Sequence, residues 1–196
     1  MKRYILAITG TTGVVLGVRL LKELVKDFEV HLIVSDSAVP ILLDEAGIDL
    51  SRGFEEAFRE HLGIDTERLH TYREADLWSP VASGSFRAEG MFVVPCSMKT
   101  LSAVANGYAS GLVERVADVT IKEGRLLVLC PRETPLSAIH IENLLKLARL
   151  GVRIVPPVIG FYHKPDGIDD MIDFIVGRLL DQAGLNNELY RRWQGG

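Results

Sequence analysis

The sequence predicts an α/β domain, a mostly parallel sheet covered by helices on both faces. Apolar, β-branched runs suited to buried parallel strands recur along the 196 residues. Most of them end in a short turn of glycine, hydroxyl or proline residues, after which apolar positions resume at helical spacing. Repeated units of this kind place ligands beyond the carboxyl ends of the strands. A composition of 47% hydrophobic and 24% charged residues fits one domain with a full-sized core. The net charge of −4 and the lack of a basic face argue against a nucleic-acid partner. No run approaches a membrane span, and Met1-Lys2-Arg3 leads straight into a strand, so neither a membrane partner nor a signal peptide is expected. Cys96 and Cys130 close apolar runs and read as reduced thiols of a cytoplasmic protein.

The first unit runs Tyr4-Ile5-Leu6-Ala7-Ile8-Thr9-Gly10-Thr11-Thr12-Gly13 into a helix whose apolar face carries Leu20, Leu21 and Leu24. Its glycines match neither the dinucleotide fingerprint nor the Walker pattern. The free N–H groups of the first helical turn and the hydroxyls of Thr9, Thr11 and Thr12 suit a phosphate. A tight turn with close helix packing explains the same glycines, and both readings stand. Phe28 to Ser35 is the second strand, with a hydroxyl at its tip, and Asp36, Ser37 and Pro40 start a helix that runs to Gly47. His31 reads as a satisfied, half-buried residue, since no partner at metal spacing accompanies it.

Residues 48–76 are more polar, with an amphipathic surface helix around Phe54 to Phe58. Leu77 to Phe86 forms a loop in which Trp78 is either a pocket wall or part of a plain surface connection. Met91 to Cys96 is a strand, followed by Ser97-Met98-Lys99-Thr100 and the helical run Leu101 to Ala105. Leu126 to Cys130 is another, followed by Pro131-Arg132-Glu133-Thr134-Pro135 and a helix from about Ser137 to Leu150. An Arg and a Glu held between two prolines at a strand's carboxyl end are hard to explain as packing, with solvated loop charges as the alternative. The last unit is Val152 to Pro157, a loop with Phe161-Tyr162-His163-Lys164-Pro165, and a helix from about Ile168 to Leu180 carrying Arg178. Gly10, Ser35, Ser97 and Arg132 all fall at strand tips.

Ile8 to Gly13, Ala82 to Phe86, Pro95 to Thr100, Pro131 to Pro135 and Phe161 to Pro165 occur in that order, and together they resemble the UbiX/Pad family of flavin prenyltransferases. The similarity runs from about Lys2 to Gly184. One departure is Thr11-Thr12, where the family usually has Ala-Ser. The resemblance implies a flavodoxin-like or Rossmann-like three-layer domain over residues 1–185, with 186–196 as a C-terminal tail. It further implies assembly into a homo-oligomer, commonly a dodecamer. The implied activity is metal-independent transfer of a dimethylallyl group from dimethylallyl phosphate to N5 and C6 of reduced FMN. The prenylated FMN would serve a UbiD-type decarboxylase.

By matching positions, the resemblance assigns Gly10, Thr11, Thr12, Ser35, Ser97, Met98, Lys99, Thr100 and Arg132 to FMN binding. Lys122, Arg132, Tyr162 and Arg178 correspond to residues around the prenyl phosphate. Glu133 corresponds to the acid-base residue, a carboxyl that a neighbouring phosphate can keep protonated. The resemblance also gives catalytic roles to Thr12 and Glu45, polar positions near the flavin edge, and to Trp78, an aromatic wall beside the developing allylic cation; helix-surface acid and turn hydroxyl remain the other readings of Glu45 and Thr12. Two alternatives stand beside this one. An FMN-dependent cysteine decarboxylase shares the fold, but its Pro-Ala-Ser-Ala-Asn-Thr block is not matched by Pro95 to Thr100; a flavin-storage protein needs less charge than Lys122, Arg132, Glu133 and Arg178 supply.

Overall fold

The computed structural model describes residues 1–63, 66–193 and 195; Ile64, Asp65, and Gln194 and Gly196 of the expected tail lie outside the described residues. The strands are β1 (Arg3–Ile8), β2 (Glu29–Val34), β3 (Leu69–Arg73), β4 (Gly90–Cys96), β5 (Leu126–Pro131) and β6 (Arg153–Ile154). The helices are α1 (Val14–Leu24), α2 (Val39–Ala46), α3 (Phe54–Leu62), α4 (Met98–Ala105), α5 (Leu112–Lys122), α6 (Ala138–Arg149) and α7 (Ile168–Gln182). The strands form one sheet in the order β3-β2-β1-β4-β5-β6, and all five pairings are parallel. The chain therefore winds outward in both directions from β1 and β4, and the crevice between their carboxyl ends is the switch point of a doubly wound sheet.

Period-two alternation divides the core into two layers. Leu6, Ile8, Phe92, Val94 and Val128 pack with α1, α2 and α7 on one face. Ile5, Ala7, Met91, Val93 and Leu129 pack with α4, α5 and α6 on the other. Gly17 lets α1 press onto β4, since a Cβ there would lie 2.2 Å from the Val94 carbonyl oxygen. This contact holds the start of α1 against the switch point.

Two elements go beyond the sequence expectation. β3 lies inside the polar stretch and buries only Leu69 fully, as an edge strand can. α5 buries Leu112, Val113, Val116, Ala117, Val119 and Thr120, a helical stripe. β6 stops after Ile154, shorter than expected, because Pro156 and Pro157 follow and cannot donate ladder hydrogen bonds. The segment after α7 lies against that helix: the Asn187 amide donates to the Gly177 carbonyl (3.2 Å) and the Tyr190 hydroxyl to Asp181 (2.6 Å).

Candidate active site at the carboxyl rim

The rim is held together at its centre by the buried Thr9 hydroxyl. It donates to the Pro95 carbonyl (2.8 Å) and accepts from the Ser97 backbone N–H (2.8 Å), so the ends of β1 and β4 are joined through one oxygen. Beside it, Gly10 packs onto the loop after β2, where a Cβ would sit 2.2 Å from Ser37 Oγ. Ser35 is buried, and its hydroxyl pairs with that of Ser37 (3.1 Å). On the β4 side Ser97 caps α4 by accepting from Thr100 N–H (3.3 Å) and donates its own proton to Thr100 Oγ1 (3.1 Å). Met98, the first residue of α4, is half-buried next to this cap.

Arg132 follows β5, and its backbone N–H bonds to the Cys96 carbonyl (3.2 Å), which draws it toward the switch point. Its Nε donates to Thr11 Oγ1 (3.2 Å). Among the described residues nothing accepts from its two terminal amino groups, which leaves the fork of this half-buried residue uncommitted and able to take an anion. Glu133 is exposed next to it, one oxygen accepting from Thr134 N–H (3.0 Å). Thr12 is exposed on the same β1 loop. Hydroxyls, a glycine-lined loop and an uncommitted guanidinium suit a ligand with a polyol chain and an anionic group.

Several residues expected at the site are committed elsewhere. The N–H groups opening α1 do not face outward for a phosphate: Gly13 N (2.8 Å) and Val14 N (3.2 Å) both donate to one carboxylate oxygen of Glu45. A carboxylate there is favoured by the helix dipole, and it fills the place that the glycine pattern alone leaves open to a ligand. The Lys99 ammonium turns from the rim to Glu114 (3.0 Å) and Glu74 (3.4 Å), and these carboxylates raise its pKa over the lowering effect of burial. Trp78 is 100% exposed, so within the chain it packs against nothing among the described residues. Lys122 ends α5 just before β5 begins, which puts it at the amino edge of the sheet, opposite Arg132.

Tyr162 and Arg178 form a second group on the outer side of α7. The Tyr162 ring packs edge-on against Phe174 and Trp193, at 5.7 and 6.0 Å between centroids. Arg178 bonds to Tyr190 (3.4 Å) and Asp181 (3.3 Å), and the Tyr190 hydroxyl foremost raises its pKa. Next to Tyr162, both ring nitrogens of His163 are buried without a hydrogen-bond partner among the described residues. None of the hydrogen bonds or ring contacts among the described residues joins this group to Arg132. A cleft of about 500 Å³ on the flank of α1 and α7 is lined by Arg19, Lys22, His61 and Asp173 and by none of the expected site residues.

The flavoprotein family model matches residues 1–180. The flavin prenyltransferase UbiX of Methanocaldococcus jannaschii is 45% identical over 191 residues, which is 97% of this chain and 98% of that one. A crystal structure described as a dodecameric FMN-dependent UbiX-like decarboxylase from Escherichia coli O157:H7 superposes with a TM-score of 0.89 at 45% identity, covering 98% of this chain and 100% of the other. AnUbiX (PadA1) in complex with FMN and dimethylallyl pyrophosphate superposes with a TM-score of 0.88 at 42% identity, covering 100% and 98%. The strand order, the crevice at β1 and β4, and full-length identity of this size make the chain a member of the flavoprotein family, among the UbiX flavin prenyltransferases.

Proposed function

We propose that this chain joins a dimethylallyl group to reduced FMN, taking the group from a dimethylallyl phosphate. The observation that carries the reading is Arg132, anchored through Nε to Thr11 with its fork uncommitted and Glu133 beside it at the switch point. Reduced FMN supplies the nucleophilic N5 and C6 at which the new bonds form. Gly10, Thr11, Thr12, Ser35, Ser97, Met98 and Thr100 offer the hydroxyls and backbone groups that fit a ribityl phosphate, and Lys99, its side chain held by two carboxylates, contributes through its backbone alone. Arg132 binds an anion and favours the negative charge that grows as phosphate departs. Glu133 moves a proton at the rim. Glu45 fixes the start of α1 and so the pose of Thr12.

Tyr162, Arg178 and Lys122 complete the donor site, and Lys122 reaches it only from a second copy, because it leaves the opposite edge of the sheet. Exposed Trp78, Phe161 (71%), Val158 (70%) and Ile139 (68%) give the chain apolar surface for such assembly, and a dodecamer, the form described for the Escherichia coli O157:H7 relative, is the expected one. The catalytic unit is residues 1–185, with 186–196 as a tail in which Asn187 and Tyr190 bond to α7. The product goes to a UbiD-type decarboxylase in the cytoplasm. No helix among the described residues is long and apolar enough to cross a membrane. The FMN-dependent cysteine decarboxylase TvaF, at 15% identity, shares the fold alone.

The test is anaerobic incubation of the protein with reduced FMN and either dimethylallyl monophosphate or pyrophosphate, followed by mass analysis of the flavin. A flavin heavier by one dimethylallyl group is expected. Recovery of unmodified FMN alone, where a known prenyltransferase converts it, overturns the reading.

A further inference from the structure

At the amino end of the sheet, parallel pairing of β2 with edge strand β3 sets His31 directly beside His70, thirty-nine residues later in the chain. Glu29, two positions before His31, projects from the same face of β2. His31 Nε2 lies 3.1 Å and His70 Nε2 3.3 Å from the same Glu29 oxygen, Oε1. The three ligand atoms all fall within 4.8 Å of one another. We propose that Glu29, His31 and His70 form a binding site for a divalent first-row transition metal, best fitted by zinc, with a fourth position open to water. The sequence spacing hides it, since His31 acquires its partners only through strand pairing.

Metal–ligand bonds of about 2.0–2.1 Å around a tetrahedral centre set neighbouring ligand atoms about 3.4 Å apart. Both imidazole–carboxylate separations already match this; the His70 ring, 46% exposed on the edge strand, stacks on the His31 ring at 4.8 Å between centroids and has to tilt out of that stack for the two Nε2 atoms to converge on one ion. Two imidazoles and one carboxylate suit zinc and its transition-metal neighbours rather than calcium or magnesium, which take oxygen ligands. An outer shell is also present. His31 Nδ1 lies 2.9 Å from the Tyr72 hydroxyl, and Arg3 Nε donates to the second Glu29 oxygen at 3.0 Å, leaving Oε1 for the metal. The Phe86 ring meets the His31 ring edge-on at 4.7 Å and closes one side.

No proton is lost or gained by His31 on binding. Without metal its Nε2–H donates to Glu29 and Nδ1 accepts from Tyr72. With metal the other tautomer serves: Nδ1–H donates to Tyr72 and the Nε2 lone pair points to the cation. The Arg3 charge opposes the cation, so binding is expected to be weaker than at a four-ligand structural zinc site. The metal would tie β3, which pairs only with β2, to the rest of the sheet. From His31 to Ser35 is about 13 Å along the strand, so the site is separate from the flavin rim.

The test uses the full-length protein after chelator treatment, titrated calorimetrically with zinc and, separately, with cobalt(II) followed by visible absorption. One metal per chain, a rise in the unfolding midpoint and the intense bands of four-coordinate cobalt are expected. H70Q, which fills the same space and keeps a donor toward Glu29, should fold and bind FMN as before but lose at least about tenfold in zinc affinity; E29Q should do likewise. Binding below one equivalent, a cobalt spectrum of the hydrated six-coordinate ion, or wild-type zinc affinity in folded H70Q overturns the proposal.

Discussion

Replacing Thr9 by valine tests whether one hydroxyl holds the rim together. Valine keeps the shape of the side chain and its branching, so the core around this residue, 1% exposed, stays filled. What is lost is the donor to the Pro95 carbonyl and the acceptor for Ser97 N–H, both at 2.8 Å. The Pro95 oxygen retains the Thr9 N–H at 3.3 Å, whereas the half-buried Ser97 N–H is left without its partner. Two net hydrogen bonds of about 1 kcal/mol each, plus a partial penalty for the orphaned donor, give about 2–3 kcal/mol of destabilisation. For a chain of this size that is a fall of roughly 4–12 °C in the unfolding midpoint, measured at fixed protomer concentration because assembly shifts it. Affinity for FMN, read by flavin fluorescence, should fall in parallel, since Ser97 opens the cap of α4. T9S keeps both bonds, loses one methyl and should stay within about 1.5 kcal/mol of the parent. If T9V unfolds within about 0.5 kcal/mol of the parent while T9S falls further, packing rather than the hydroxyl joins the two strand ends.

Other outcomes follow from the same structure. E133Q should keep FMN bound while prenyl transfer, read by flavin mass analysis, falls about 10²–10⁴-fold; unchanged turnover removes Glu133 from proton transfer. R178A should raise the KM for the dimethylallyl phosphate by roughly tenfold to a hundredfold and leave the FMN dissociation constant near the parent value; equal loss of both means the donor site is wrongly drawn. Burial first, and the His70 charge second, lower the His31 pKa to about 4 from 6.5. The unfolded chain therefore takes up this proton first, and stability present above pH 6.5 is lost as pH falls toward about 4, by up to about 3 kcal/mol. Urea unfolding with chelator present should show this slope, and H31Q should flatten it. Glu29 acts in a lower window: burial raises its pKa, but Arg3 and His31 outweigh this and hold it below the usual carboxylate range.

The layers were legible because buried parallel strands carry their signature locally. Ile5 to Ile8 and Met91 to Val94 are buried on both faces, so continuous apolar runs identify them without tertiary knowledge. β3 lacks that signature because an edge strand has one neighbour, and His70, Thr71, Tyr72 and Arg73 all retain some exposure. α5 is a different case: its apolar positions recur at helical spacing and were available to the same periodicity argument that identifies α6 and α7. The short β6 was available too, from two consecutive prolines.

The site divides along the same line between local and tertiary information. That Gly10, Ser35, Ser97 and Arg132 gather at one rim follows from each ending a strand in a parallel sheet, a rule that needs only the order of elements. Which groups remain free does not follow from order. Glu45 reaches α1 from thirty-two residues away, and Lys99 finds Glu114 through the packing of α4 on α5 and Glu74 just after β3, so neither commitment can be read along the chain. Lys122 is the most instructive residue, because its displacement is topological. A helix that precedes a parallel strand must finish at the strand's amino end, and β5, six residues long, then separates Lys122 from Arg132 by about 20 Å. No rotamer of either side chain spans that gap. If Lys122 and Arg132 serve one phosphate, as proposed, they come from different copies, with the amino edge of one sheet set against the carboxyl rim of the next.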